Sequence, residues 1–277
     1  NQWFEELSQY GYVDSSVLIG TDSNDNLHNT DTNTNSYIYS GNGNDQLIGN
    51  NYTDKIWGGS GNDTIYGRGG DDLLEGEDGD DKLYGEEGAD ILKGGAGNDT
   101  LDGGNGADIL EGGVGNDTLN GGAGDDILEG GVGNDTLSGG AGNNIYVFGR
   151  GDGQDTISSA YDTNVNKLNI LRLKEGISAT DLIIKQVSSS LEISILGSTD
   201  KLTFQDILTQ DSLNNPYSSL QQIEFADGTT LKVSDILQQL YQGSANADLL
   251  VGDKSIDHIL GGLGNDTIYG RGGDDLL

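Results

Sequence analysis

One apolar side chain returns at every ninth residue along the middle of the chain: Leu47, Ile56, Ile65, Leu74, Leu83, Leu92, Leu101, Leu110, Leu119, Leu128, Leu137 and Tyr146. Glycine recurs in the intervals in a constant order, so twelve nine-residue units run without a gap from Ser40 to Val147. The pattern predicts a unit made of a six-residue glycine-rich turn and a three-residue strand such as "TLD" or "ILE". Alternate strand side chains face opposite ways, so the eighth residue of each unit points inward and its neighbours outward. Two units close one coil of 18 residues, and coils stack at about 4.8 Å. Past the array the pattern changes. "KLNILRL" (167–173), "ISATDLIIKQV" (177–187), "LEISI" (191–195) and "KLTFQDIL" (201–208) are richer in aliphatics, and the alternation in "LEISI" and "KLTF" predicts strands. "ADGT" reads as a tight turn between strands, and "SDILQQL" as a short helix with Ser234 as N-cap. "QWFEELSQY" (2–10) matches it as the closing helix of a preceding block.

The polar positions carry the chemistry. The sixth position is Asp45, Asp54, Asp63, Asp72, Asp81, Asp90, Asp99, Asp108, Asp117, Asp126 and Asp135, and finally Asn144. The fourth is glycine in eleven of twelve units, Tyr52 being the exception. Stacked coils place the aspartates in two columns, Asp45 to Asp135 and Asp54 to Asn144. At roughly 5 Å and an effective dielectric of about 20, each adjacent pair of carboxylates repels by about 3 kcal/mol. Composition sharpens the problem. The chain has 277 residues, 33% of them hydrophobic, and a net charge of −33 from 46 acids against 13 bases. That balance is the signature of disorder unless something neutralises it, and it excludes a nucleic-acid partner.

A hard divalent cation resolves the repulsion. Calcium takes six to eight oxygens in flexible geometry, which two aspartates of adjacent coils and the carbonyls of the glycine turns can supply. Magnesium demands stricter octahedral geometry. Zinc lacks its preferred ligands, since there is no cysteine and the only histidines are His28 and His258.

A longer period lies over the short one. Residues 44–74 align with 247–277 at a constant offset of 203, and "GNDTIYGRGGDDLL" occurs identically at 61–74 and 264–277. Weaker units keep Asp25, Asp248 and Asp257, and the second array adds Asp266 and Asp275. Four segments follow: 1–39, the end of a preceding block with a degenerate first repeat standing outside the continuous array; 40–157, the repeat array; 158–242, a β-rich capping segment; and 243–277, the start of a second array. The chain reads as a piece of a longer protein.

The nonapeptide G-G-x-G-x-D-x-U-x at 40–147 and 261–277 resembles the RTX, or haemolysin-type calcium-binding, repeat, and 158–242 resembles the haemolysin-type calcium-binding-related segment. The resemblance implies an all-β fold, a right-handed parallel β-roll with two nonapeptides per coil. It implies carbonyl ligands from the first four turn positions, here Gly94, Gly95, Ala96 and Gly97, then Gly103, Gly104, Asn105 and Gly106, Gly112, Gly113, Val114 and Gly115, and Gly121, Gly122, Ala123 and Gly124. About ten calcium ions are expected. "YVFGRGDGQDTI" (146–157) looks like the terminal turn, where Asp152 and Asp155 would close a last site. In "GNNYTDKIW" (49–57) Asn50 and Tyr52 replace turn glycines, which puts that site in doubt.

Other motifs are absent or incomplete. "DTNTN" (31–35) lacks the glycine and glutamate of an EF-hand loop. No phosphate loop, H-E-x-x-H or G-x-S-x-G occurs. No catalytic residue is assigned and the chain is not expected to be an enzyme. The resemblance implies export by the type I secretion machinery and folding on calcium outside the cell, in a secreted or surface protein. A toxin-like or adhesin-like parent that contacts a host or cell surface is preferred. The alternatives are the C-terminal folding module of an extracellular lipase or protease, and a surface- or glycan-binding module.

Overall fold

A computed structural model describes residues 16–30, 34–158, 167–187, 190–205, 207, 219–240, 249–251, 261 and 263–270. The chain winds as a parallel β-solenoid of about eight turns. One sheet holds, in spatial order, Val17–Ile19, Tyr37–Asn42, Lys55–Ser60, Leu73–Asp78, Ile91–Ala96, Ile109–Val114, Ile127–Val132, Ile145–Phe148, Ile170–Leu173, Gln222–Glu224 and Thr230–Lys232. The other runs from Asn26–His28 through Gln46–Ile48, Thr64–Gly69, Lys82–Glu87, Thr100–Asn105, Thr118–Ala123, Thr136–Ser138, Gln154–Ile157 and Lys201–Phe204 to Ser190–Ile195 and Leu182–Val187. Through the repeat array consecutive strands fall in opposite sheets, and the regular ones pair in parallel 18 residues on, as in Thr100↔Thr118 and Ile109↔Ile127. Two nonapeptides therefore make one coil.

The inward residue of each strand is the eighth of its unit, and Leu47 to Leu137 are at most 2% exposed. The next inward position is the glycine that opens the following unit, so each regular strand contributes one aliphatic side chain and one bare backbone to a thin core. Strand length corrects the expectation of six-residue turns and three-residue strands. Regular strands are six residues long, as in Thr100–Asn105, and the turn is the remaining three. The 18-residue repeat brings the first turn positions of successive coils into register, so Gly104 and Asn105 pair with Gly122 and Ala123. Their backbone groups are then satisfied along the stack instead of by water.

Both sheets continue beyond residue 157. Ile170–Leu173 adds in parallel to Ile145–Phe148, Lys201–Phe204 to Gln154–Ile157, and Gln222–Glu224 to Ile170–Leu173. Antiparallel pairs then close the two sheets: Leu182–Val187 with Ser190–Ile195, and Gln222–Glu224 with Thr230–Lys232 around the expected turn at Gly228 (φ 84°). The helix spans Val233–Leu240, so Ser234 lies inside it and is not its N-cap. Here the inward glycine gives way to large side chains. Phe148 stands one coil on from Gly130, and Phe148, Leu173 and Phe204 are at most 1% exposed. Tyr146 meets Phe204 edge-on, its hydroxyl accepts from the Gly139 N–H (3.1 Å), and burial pushes its pKa up to about 12.

Leu249–Val251 pairs with Thr267–Tyr269 at the same 18-residue offset. Among the described residues no helix is long and apolar enough to cross a membrane. The closing helix expected at 2–10, the "DTNTN" residues Asp31 and Asn33, His258, and the candidate ligands Asp248, Asp257 and Asp275 lie outside the described residues.

Candidate metal centre

The sixth-position side chains form two hydrogen-bonded ladders. In the first, the Asp25 N–H donates to Asp45 Oδ1 (2.8 Å), Asp45 to Asp63 (2.7 Å), Asp63 to Asp81 (2.7 Å), Asp81 to Asp99 (2.8 Å), Asp99 to Asp117 (2.8 Å), Asp117 to Asp135 (2.8 Å) and Asp135 to Asp155 (3.0 Å). In the second, the Ser36 N–H donates to Asp54 Oδ1, and the bonds continue through Asp72, Asp90, Asp108 and Asp126 to Asn144. Asp25 thus heads the first column. The expectation that it stands outside the array fails, because the 20-residue coil between Asp25 and Asp45 places its extra residues without disturbing the register.

The ladder uses one carboxylate oxygen and strands the other. The Oδ2 atoms of Asp45, Asp63, Asp72, Asp81, Asp90, Asp99, Asp108, Asp117, Asp126 and Asp135 are buried without a hydrogen-bond partner. Ten orphaned, charged oxygens are unsustainable in a folded protein without a counter-charge. Burial is the largest cause of the resulting shifts. The Asp72 carboxyl is pushed up to about 8, Asp81 and Asp117 to about 7, and Asp63, Asp90, Asp99 and Asp126 to about 6, with neighbouring column carboxylates adding to most of these.

In every unit but the first, which opens on Ser40, an opening glycine lies beside the sixth-position side chain. A Cβ built on Gly94 would strike Asp99 Oδ2 and stand 2.6 Å from the Gly112 carbonyl oxygen; Gly76, Gly103, Gly112 and Gly121 repeat the arrangement. A carboxylate oxygen and a main-chain carbonyl from the next coil therefore flank one small space at each of the nine turns opened by Gly49 to Gly121. No three His, Asp or Glu side chains converge on one point among the described residues. Any ion held here must complete its shell with carbonyls, a donor set of hard oxygens that fits calcium.

The ends of the columns differ from the middle. Asn144 and Asn169 continue the second ladder as neutral amides, the Asn144 N–H donating to Asn169 Oδ1 (2.8 Å) and the Asn169 N–H to Gln221 Oε1 (2.6 Å). Asp155 joins the first column, and the next position in register is Leu202. Asp152 is engaged by the Lys174 ammonium (2.9 Å), which also pairs with Glu129 (2.6 Å), and by the Gly149 N–H (2.7 Å). Asp266 lies in the second array, half-buried.

A third ladder is not visible at the nine-residue period. Fifth-position side chains along the first column, Asn24, Asn44, Asn62, Asp80, Asn98, Asn116 and Asn134, each accept a main-chain N–H from the following coil, the reverse of the sixth-position direction. Reading the units at a period of 18 instead of nine exposes it, because only alternate units carry an unbroken run of Asn and Asp there.

The shifts predict a pH dependence for the ion-free chain. The folded carboxyl values of about 6 to 8 exceed the unfolded value near 4, so the fold binds more protons between these limits. Stability from these groups is therefore present below about pH 4 and lost as pH rises through 6 to 8. In chelator, β-content measured by circular dichroism is expected to be higher at pH 5 than at pH 8; the opposite order would contradict the burial of the columns.

The profile of the RTX calcium-binding nonapeptide repeat matches in overlapping copies from 32 to 157 and again at 242–277. That of the haemolysin-type calcium binding protein related domain matches 191–235. The iron-regulated protein FrpA of Neisseria meningitidis serogroup C is 45% identical over 120 residues, 43% of this chain and 10% of that protein. The extracellular lipase LipA from Serratia marcescens aligns over 64% of this chain and 38% of its own at 19% identity, with a TM-score of 0.23. The chain thus spans a minor part of both proteins.

Proposed function

We propose, from the premise that this chain belongs to the family of RTX calcium-binding nonapeptide-repeat proteins, that its roll is a calcium-triggered folding and display module of a large exported protein. The observation that carries the reading is the row of ten orphaned Oδ2 atoms, eight of which, Asp63 to Asp126, face a main-chain carbonyl of the next coil across the opening glycine of their unit. One calcium per orphaned oxygen gives about ten ions. The chain remains extended and self-repelling where calcium is scarce, passes the type I secretion machinery in that state, and compacts outside the cell. The block offset of 203 residues, and the tenth of FrpA that the match covers, favour a long toxin-like or adhesin-like parent displayed at a surface.

Position along the column tests the reading. Asp99→Ala removes a mid-column free oxygen and leaves the Asp81 N–H without its acceptor, a loss of about 1–3 kcal/mol before any ion is counted. Asp25→Ala removes an end residue whose Oδ2 already accepts from the Thr21 N–H (2.6 Å). Calcium titrations followed by circular dichroism are expected to show a higher midpoint for Asp99→Ala and little change for Asp25→Ala. Equal midpoints would refute the column arrangement.

A further inference from the structure

Between Asp25 and Asp135 the columns contain two kinds of turn. In ten turns the aspartate Oδ2 has no partner; at Asp25 and Asp54 it accepts a main-chain N–H, from Thr21 and Asn50, each at 2.6 Å. The difference follows the residue four before the aspartate. In all ten open turns that residue is left-handed, with φ between 74° and 115°: seven glycines, and also Arg68, Glu77 and Glu86. Neither Thr21 nor Asn50 has a positive φ. An L-residue seldom adopts the left-handed region unless its surroundings enforce it. Its retention at Arg68, Glu77 and Glu86 therefore marks the conformation, and not glycine itself, as what keeps the N–H off the carboxylate.

At Asn50 the other conformation is locked in place. The Asn50 Oδ1 accepts from the Tyr52 N–H (2.8 Å), and Nδ2 donates to Ser36 Oγ (2.9 Å) and to the Thr34 carbonyl (2.8 Å). Asn29 Nδ2 donates to the same Ser36 hydroxyl (2.8 Å), and Asn29, Ser36 and Asn50 are all buried. Each Asp54 oxygen thus accepts a main-chain N–H, from Ser36 at Oδ1 and Asn50 at Oδ2.

We infer that Asp54 is a cation-independent member of its column: its Oδ2, which in the open turns has no partner, is taken by the Asn50 N–H, and the Asn29–Ser36–Asn50 network holds this turn without an ion. The backbone dipole supplies the positive end that a carboxylate needs, and the surrounding amides and hydroxyl hold it there. The consequence is a second column whose first member contributes no calcium site.

The inference rests on the calcium reading of the ten open turns, and the test separates the two. Calcium bound at saturation is counted by equilibrium dialysis with atomic emission for the full chain and three variants, with circular dichroism confirming that each is folded. Asp54→Asn is expected to retain the wild-type number of ions and Asp90→Asn to lose one. Asn50→Gly/Tyr52→Gly, which restores the regular turn, is expected to gain one. Loss of an ion from Asp54→Asn, or an unchanged number in Asn50→Gly/Tyr52→Gly, overturns the inference while leaving the calcium reading intact. Failure of the wild-type chain to bind calcium at all overturns the calcium reading itself.

Discussion

Chelation at neutral pH is expected to convert the roll into a largely disordered chain, with most of its β-signal lost, and millimolar calcium to restore it in one cooperative step. The first reason is charge. Ten buried Oδ2 atoms lie along two columns, and each adjacent carboxylate pair opposes folding by about 3 kcal/mol at an effective dielectric near 20. The second is the thinness of the core. A regular coil buries two aliphatic side chains, worth about 2 kcal/mol each, against the entropy of ordering its 18 residues at about 1 kcal/mol or more apiece. Calcium changes both quantities, replacing repulsion by shared coordination and tying each coil to the next. Magnesium at the same concentration is not expected to substitute, because it gives up its water reluctantly and demands octahedral geometry. Circular dichroism in chelator, calcium and magnesium decides the matter. Full β-content in chelator at pH 7 would sink the electrostatic account.

Removing residues 158–242 is expected to weaken folding although every column aspartate up to Asp155 remains. The cap continues both sheets, so its loss bares the strand edges of Ile145–Phe148 and Gln154–Ile157 and uncovers Tyr146, Phe148 and Ile157. Exposing three large side chains at about 2 kcal/mol each removes about 6 kcal/mol. Spread over about ten cooperatively bound ions, this raises the calcium midpoint about threefold, and the unpaired strand edges add to the effect. Calcium titrations of residues 20–157 and 20–242 compare the two directly. A shared midpoint and shared cooperativity would make the cap a passenger. Lys174 gives the cap a further hold, since its ammonium joins Glu129 of the roll to Asp152.

The nine-residue spacing of Leu47 to Tyr146 was enough to predict a coil of two units, an inward aliphatic at each eighth position and two columns of aspartates, because stacking requires every repeat to occupy an equivalent place. The charge of −33 and the absence of cysteine then narrowed the missing partner to a hard cation. Tertiary structure decided which carboxylates are free. Asp54 and Asp90 occupy the same position of their units, yet in one both oxygens accept a main-chain N–H and in the other only Oδ1 does. The choice depends on a main-chain torsion four residues earlier and on whether Ser36 and Asn29, from the preceding coil, are there to hold it. It also decided where the columns stop. Asp155 is followed in register by Leu202 and Asn144 by Asn169, pairings across 47 and 25 residues that no local period reveals. Periodicity dictates what every coil shares; the ends depart from it because a terminal coil must satisfy its own backbone and cover its own core, and only contacts between distant segments can do that.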